Sequence, residues 1–171
     1  GDKYLVNNIL FKFAVDSHNF FGSDEAAHKV AGHDLKGLIS YFNLGIAGLH
    51  FPLMALVDYL GYRLIAISVL PITKDTLVYG SADAGVTLHN SNPTLARKMK
   101  LAGEMLNLKT HTVGHDPTKQ VEVHSACDLE GHQVEDRFYL LDFSRAFPPC
   151  TYDRSKPNSF LFRLLRPEFV K

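Results

Sequence analysis

Two apolar runs in mid-chain, residues 53–57 and 64–70, flank a short turn at 58–62. Both runs are short and rich in β-branched or long aliphatic side chains, which favours strands over a helix. Gly61 supplies the positive φ that a tight hairpin turn needs. Pro52 and Pro71 mark the ends, where a missing N–H costs least. The pattern predicts a central β-hairpin, and runs this uniformly apolar predict cover on both faces.

Upstream, residues 4–15 read as one strand. Leu10, Lys12 and Ala14 fall on one face, and Phe11, Phe13 and Val15 on the other. Lys12 is therefore a charge inside an apolar run. Ser23 caps a helix that runs to about Phe42, with Asp24 and Glu25 at its positive end. The apolar stripe is Ala27, Val30, Ala31, Leu38, Tyr41 and Phe42, and Asp34 falls in its middle. Gly32 and Gly37 each cost this helix about 1 kcal/mol against alanine, which suggests close packing. Asn92-Pro93 opens a second helix to about Asn107 that buries Leu95, Met99, Ala102 and Leu106. Residues 76–80, 86–89 and 110–113 read as short extended pieces. Residues 121–127 and 133–141 read as a second hairpin around 128–131. Residues 159–165 look strand-like, and Arg166-Pro167 opens a last helix. There is no βαβ rhythm, so the class is α+β. It is a mostly antiparallel sheet around a central hairpin, with two main helices packed on it and a second β-hairpin near the C-terminus.

Composition narrows the field. With 171 residues, 46% hydrophobic and 21% charged, the chain fits one globular domain over 1–171. Its abrupt start beside a strand reads as excision from a longer protein. Formal charge is zero, so any nucleic-acid contact must come from a local patch. No apolar run approaches the ~20 residues of a membrane span, and the N-terminus has no signal-peptide pattern. Cys127 and Cys150, without a secretory signal, read as free thiols.

Three groups of residues carry candidate chemistry. The first is Lys12, Asp34 and Asp142. Burial of Lys12 and Asp34 in one core favours an ion pair, because a lone buried charge is costly. Asp142 follows an apolar strand and precedes Phe143. A strand lysine, a helix acid and an Asp-Phe after a strand also form part of the protein-kinase arrangement. No Gly-rich loop precedes Lys12 and no His-Arg-Asp loop is present, so the residues favour a structural ion pair with a strand-end Asp over a working nucleotide site. The second group comes from nine histidines: His111, His115, His124 and Cys127, with His132 nearby, have zinc-ligand chemistry but match no zinc-finger spacing. Cys127 and His124 lie three apart on an expected strand and so point to opposite faces, which argues against a thiol nucleophile. The third group is basic. Arg145, Arg154, Lys156, Arg163, Arg166 and Lys171 gather near the C-terminus with Tyr152, Phe160 and Phe162 interleaved, and Arg97, Lys98 and Lys100 lie on the second helix. Cations with stacking residues suit RNA. Nothing in the residues calls for a cofactor or a catalytic assignment.

Several segments together resemble the CLU domain of the clustered-mitochondria family. They are Gly32-His-Asp-Leu-Lys-Gly37, Leu49-His-Phe-Pro-Leu-Met-Ala-Leu56, Gly61-Tyr-Arg-Leu-Ile-Ala66 with Leu70-Pro-Ile72, Leu77-Val-Tyr-Gly-Ser81, His89-Asn90 and Tyr139-Leu-Leu-Asp-Phe-Ser-Arg-Ala-Phe-Pro-Pro149 with Leu165-Arg-Pro-Glu168. The resemblance implies a large cytoplasmic protein of mitochondrial distribution, some members of which bind messenger RNA. Other domains of a full-length protein are then expected partners. The resemblance supplies no catalytic residue. The family pattern has Glu where this chain has Asp34, and the shorter acid keeps the charge but changes its reach. The readings that follow are a noncatalytic module that contacts mRNA through the basic segment, a degenerate kinase-like nucleotide-binding or phosphotransferase domain, and a pure protein-interaction scaffold.

Overall fold

The computed structural model describes residues 3–169. In chain order the elements are β1 (Lys3–Val6), β2 (Ile9–Phe13), α1 (Asp24–Phe42), β3 (Leu49–His50), β4 (Met54–Tyr59), β5 (Tyr62–Ser68), β6 (Leu77–Gly80), β7 (His89–Asn90), α2 (Pro93–Met105), β8 (His111–Val113), β9 (Val121–Val123), β10 (Glu130–Val134) and β11 (Arg137–Leu141). One sheet has the order β1-β2-β5-β4, a second β3-β11-β10-β6-β7, and β8 pairs with β9. Among the described residues all strand pairings are antiparallel except β3 with β11. The α+β class stands.

The central hairpin forms as expected, with Leu60 and Gly61 both at positive φ (48° and 82°), as a type I′ turn requires. Its cover differs from expectation. Opposed residues share a face, so Leu10, Lys12, Leu56, Ile65 and Ile67 point one way, toward α1. Phe13, Val57, Tyr59, Tyr62 and Leu64 point the other way. That outer face has no cover among the described residues, and Tyr59 and Tyr62 are 67% and 57% exposed. The hairpin lies at one side of its sheet, with β4 as an edge strand, so only one face is sealed.

The expected single strand over 4–15 is itself a hairpin. Asn7 and Asn8 take φ of 48° and 62°, and asparagine tolerates this left-handed region better than most residues. The second hairpin is displaced too. Its turn is at Glu135-Asp136, while residues 121–123 pair with β8. Gly131 is a strand residue held against Leu95 and Tyr79 of the core, not a turn residue. Residues 159–161 form a single 3-10 turn, with one bridge between Pro149 and Leu164, and 167–169 form another short turn.

Both helices begin where their caps predict. Ser23 Oγ accepts from the Ala26 N–H at 3.2 Å, and Asn92 Oδ1 accepts from Thr94 and Leu95. Leu95, Met99, Ala102 and Leu106 are fully buried, as their spacing predicts. They join Tyr41, Tyr79, Leu140 and Phe143 in the main core, whereas the four-stranded sheet and α1 share only a small cluster of Ala14, Ala31 and Ile65. Helix α1 thus works on two sides: Ala31 meets the four-stranded sheet, and Leu38 and Tyr41 enter the main core.

Gly37 is the point of closest approach. A Cβ there would lie 2.5 Å from the Phe143 carbonyl oxygen and 2.9 Å from the Ala146 Cβ, whereas a Cβ on Gly32 would meet nothing within 4 Å. Gly37→Ala is expected to destabilise the chain by about 1–3 kcal/mol through overpacking. Gly32→Ala is expected to stabilise it by roughly 0.5–1 kcal/mol. Urea unfolding of the two variants checks this, and equal shifts of the midpoint would refute the packing assignment.

Candidate functional site

The end of β11 delivers Asp142 and Phe143 onto α1. Asp34, buried in the helix stripe, accepts the Phe143 N–H at 2.9 Å. This is where its short side chain reaches. It makes no ion pair with Lys12 among the described residues, and Lys12 makes none with Asp142. The Phe143 bond sets Asp142, one residue earlier, beside Asp34, and Lys12 lies on the strand face turned toward α1. Asp142 has a φ of 61°, in the left-handed region, and its Oδ1 accepts from the Ser144 hydroxyl at 3.2 Å.

Two further charges join them. Asp128, on the loop before β10, is buried and receives both Nε and Nη2 of Arg145. Sequence reasoning placed Asp128 in a hairpin turn and Arg145 in the basic surface. Nothing local links residues 17 apart across an intervening hairpin, so only the tertiary pairing could have shown that they belong together. Arg145 is therefore part of this cluster, with its fork engaged by Asp128. Burial raises the pKa of Asp34, against the Phe143 hydrogen bond and Lys12. Burial also raises that of the Cys127 thiol, with Asp128 adding to it, which keeps the sulfur protonated and poorly nucleophilic.

The cluster adjoins a cleft of about 890 Å³, which Asp128 and Arg145 help to line together with Leu108, Phe147, Phe160 and Leu164. His111, His115 and Cys127 border the same cleft, but His124 is buried with Nδ1 bonded to Thr110 Oγ1 at 2.7 Å. His132 is held between Thr76 and Glu130. Among the described residues no three His, Cys, Asp or Glu side chains are grouped to hold a metal ion. Both cysteines are free thiols.

Arg154, Lys156, Arg163 and Arg166 are exposed, and Lys156 and Arg163 both act on Asp153. Arg166 is turned toward Glu168 and lies 4.1 Å over the Phe169 ring. Tyr152 and Phe160 are 50% and 44% exposed and meet edge to face at 6.5 Å. Phe162, by contrast, is buried against Phe21 and is not available for stacking. Lys171 lies outside the described residues. On α2, Arg97 and Lys100 are exposed, while Lys98 Nζ donates to the Ala47 carbonyl.

These features describe an α+β domain with an internal charge cluster beside a cleft. Residues 1–151 match the family described as Clustered mitochondria (CLU). The Clustered mitochondria protein homolog of Xenopus tropicalis is 33% identical over 155 residues, covering 85% of this chain and 12% of its own length. The protein named clueless of Drosophila mojavensis is 34% identical, with coverages of 85% and 10%, and the Homo sapiens homolog is 33% identical, with 85% and 12%. The chain belongs to the clustered mitochondria (CLU) family. It spans about a tenth of the length of these curated relatives. No solved structure matches it. Among the described residues no helix is long and apolar enough to cross a membrane.

Asp142 carries a pH signature. Burial, then Asp34 and Asp128, push its pKa from the ordinary 3.8 up to about 6, against Lys12 and Arg145. Between those values the folded chain holds a proton that the unfolded chain has released. The stability from this group is therefore fully present below the unfolded value and lost as pH rises through about 6. Asp142→Asn removes that loss. The stability of the variant minus that of the parent is expected to rise by about 2 kcal/mol between pH 4 and pH 7. Urea unfolding at both pH values measures it, and a difference that stays flat with pH refutes the assignment.

Proposed function

We propose that this chain is a noncatalytic module of a cytoplasmic protein of mitochondrial distribution or biogenesis, and that it contacts mRNA through its C-terminal surface. The observation that carries the reading is the exposed set Arg154, Lys156 and Arg163 beside the half-exposed Tyr152–Phe160 pair. Cations meet the phosphate backbone, and the rings offer faces and edges on which unpaired bases stack. Phe160 also lines the cleft, so a base stacked there stands at the rim of an apolar recess. Asp153 lies among the cations, and the zero net charge of the chain leaves the attraction local. A strong dependence on salt follows.

A second reading, a protein-interaction scaffold, draws on the outer face of the four-stranded sheet. Tyr4, Val57, Tyr59 and Tyr62 leave an apolar surface there, of the kind that other domains of a full-length protein would cover.

Replacing Arg154, Lys156 and Arg163 together by Gln is expected to weaken binding of single-stranded RNA across sequences. The slope of log K against log salt should fall by about 2, from ~0.7 for each lost phosphate contact. Filter binding over a salt series is the measurement, and unchanged affinity and slope reject the surface.

A further inference from the structure

Loops from separate parts of the chain enclose the cleft of about 890 Å³. They come from before α1, after α2, before β10, after β11 and from the segment 158–164. These walls are tied to one another. The Cys150 N–H donates to the Arg163 carbonyl at 2.8 Å, and the Leu165 N–H to the Pro148 carbonyl at 2.9 Å. Asn158 Nδ2 donates to the Phe20 carbonyl at 2.5 Å, which fastens the loop before α1 to the same wall. The space is therefore built before any ligand arrives. Its volume lies within the ~300–1,000 Å³ usual for small-molecule sites.

The lining has two kinds of chemistry. Its inner wall is apolar: Ala146, Phe147 and Leu164 are buried, and Leu108 and Leu161 are half-buried. Polar groups along that wall are already engaged. Arg145 gives Nε and Nη2 to Asp128, and Ser125 Oγ donates to the Ala126 carbonyl at 3.0 Å. A peptide would bring amide groups in need of partners, and this wall has few to offer. An acyl chain brings none. The remaining charge has one sign. Among the described residues the charged lining groups are Lys109, Arg145 and Asp128, and the last two neutralise one another. Lys109 is left, exposed at the mouth with His111 and His115. His111 Nδ1 donates to the Lys109 carbonyl at 2.9 Å, so Nε2 is the ring atom left for a ligand.

We propose that the cleft binds a long-chain monocarboxylate, with the acyl chain along the apolar wall and the carboxylate at Lys109. Burial of the chain supplies the affinity, roughly fourfold for each methylene that enters. The lysine orients the ligand and favours an acid over an alcohol, by a modest factor because it is exposed. One net cation does not suit a polyphosphate. None of Arg154, Lys156 and Arg163 lines the cleft, so the site does not depend on RNA binding.

The test is titration calorimetry of the 171-residue chain with sodium octanoate, decanoate and dodecanoate, each below its aggregation concentration, and with decanol. Affinity is expected to climb with chain length, by up to roughly fourfold per methylene. Lys109→Glu reverses the charge at the mouth on an exposed side chain, where folding is not at risk. It should weaken decanoate by about threefold to tenfold and leave decanol unchanged. Ala126→Phe narrows the cleft and should weaken acid and alcohol alike, at least tenfold. If that variant fails to fold, the length series and Lys109→Glu decide. Replacing Arg154, Lys156 and Arg163 should leave decanoate binding as it is, which separates failure here from failure of the RNA surface. Sedimentation with vesicles of phosphatidylcholine and phosphatidylserine distinguishes a free acid from a lipid surface. The proposal is overturned by no binding of any acid, by an affinity indifferent to chain length, by equal loss of decanol and decanoate in Lys109→Glu, or by binding to vesicles alone.

Discussion

The hydrogen bond from the Phe143 amide to the Asp34 carboxylate joins the two halves of the molecule. Around it, Gly37 lets α1 approach the backbone of Phe143, and the Tyr41 and Phe143 rings pack at 5.4 Å. One helix therefore bears on the four-stranded sheet through Ala31 and on the main core through Leu38 and Tyr41. A buried carboxylate is tolerable only when its lone pairs are used, and the amide supplies that use. The same bond sets where Asp142 stands, one residue earlier, and so sets the charge cluster.

That arrangement explains why Asp34 and Asp142 behave alike. Asp34 and Asp142 are both raised by burial, and each feels other carboxylates. Arg145 neutralises Asp128 directly, while Lys12 acts on Asp34 and Asp142 without a direct bond to either. The fold thus holds charge in a place where solvent screens it weakly, a pattern more common at binding sites than in inert cores. The C-terminal surface presents the opposite physics, with exposed cations whose field salt can screen.

The four-stranded sheet shows how one-sided burial escapes a reading of composition. Residues 53–57 and 64–70 look alike on both faces because every position except Ser68 is apolar. Which face is sealed depends on where α1 lies, and α1 covers only the side of Leu56, Ile65 and Ile67. Tyr59 and Tyr62 are left outside, paired across a type I′ turn.

Local chemistry settled a good deal before any packing was known. Helix starts at Ser23 and Asn92, the buried stripe of α2, the turn at Gly61 and the α+β class all follow from interactions a few residues long, which the chain carries wherever it folds. The turn at Asn7-Asn8 was also written in those residues and was hidden by the apolar character on either side of it. Partnership over distance was not so written. The bond of Asp34 to Phe143, the pairing of Asp128 with Arg145 and the withdrawal of Phe162 from the surface each depend on segments far apart in sequence. A carboxylate or a cation takes whichever partner the tertiary fold places within reach, and sequence spacing does not encode that distance.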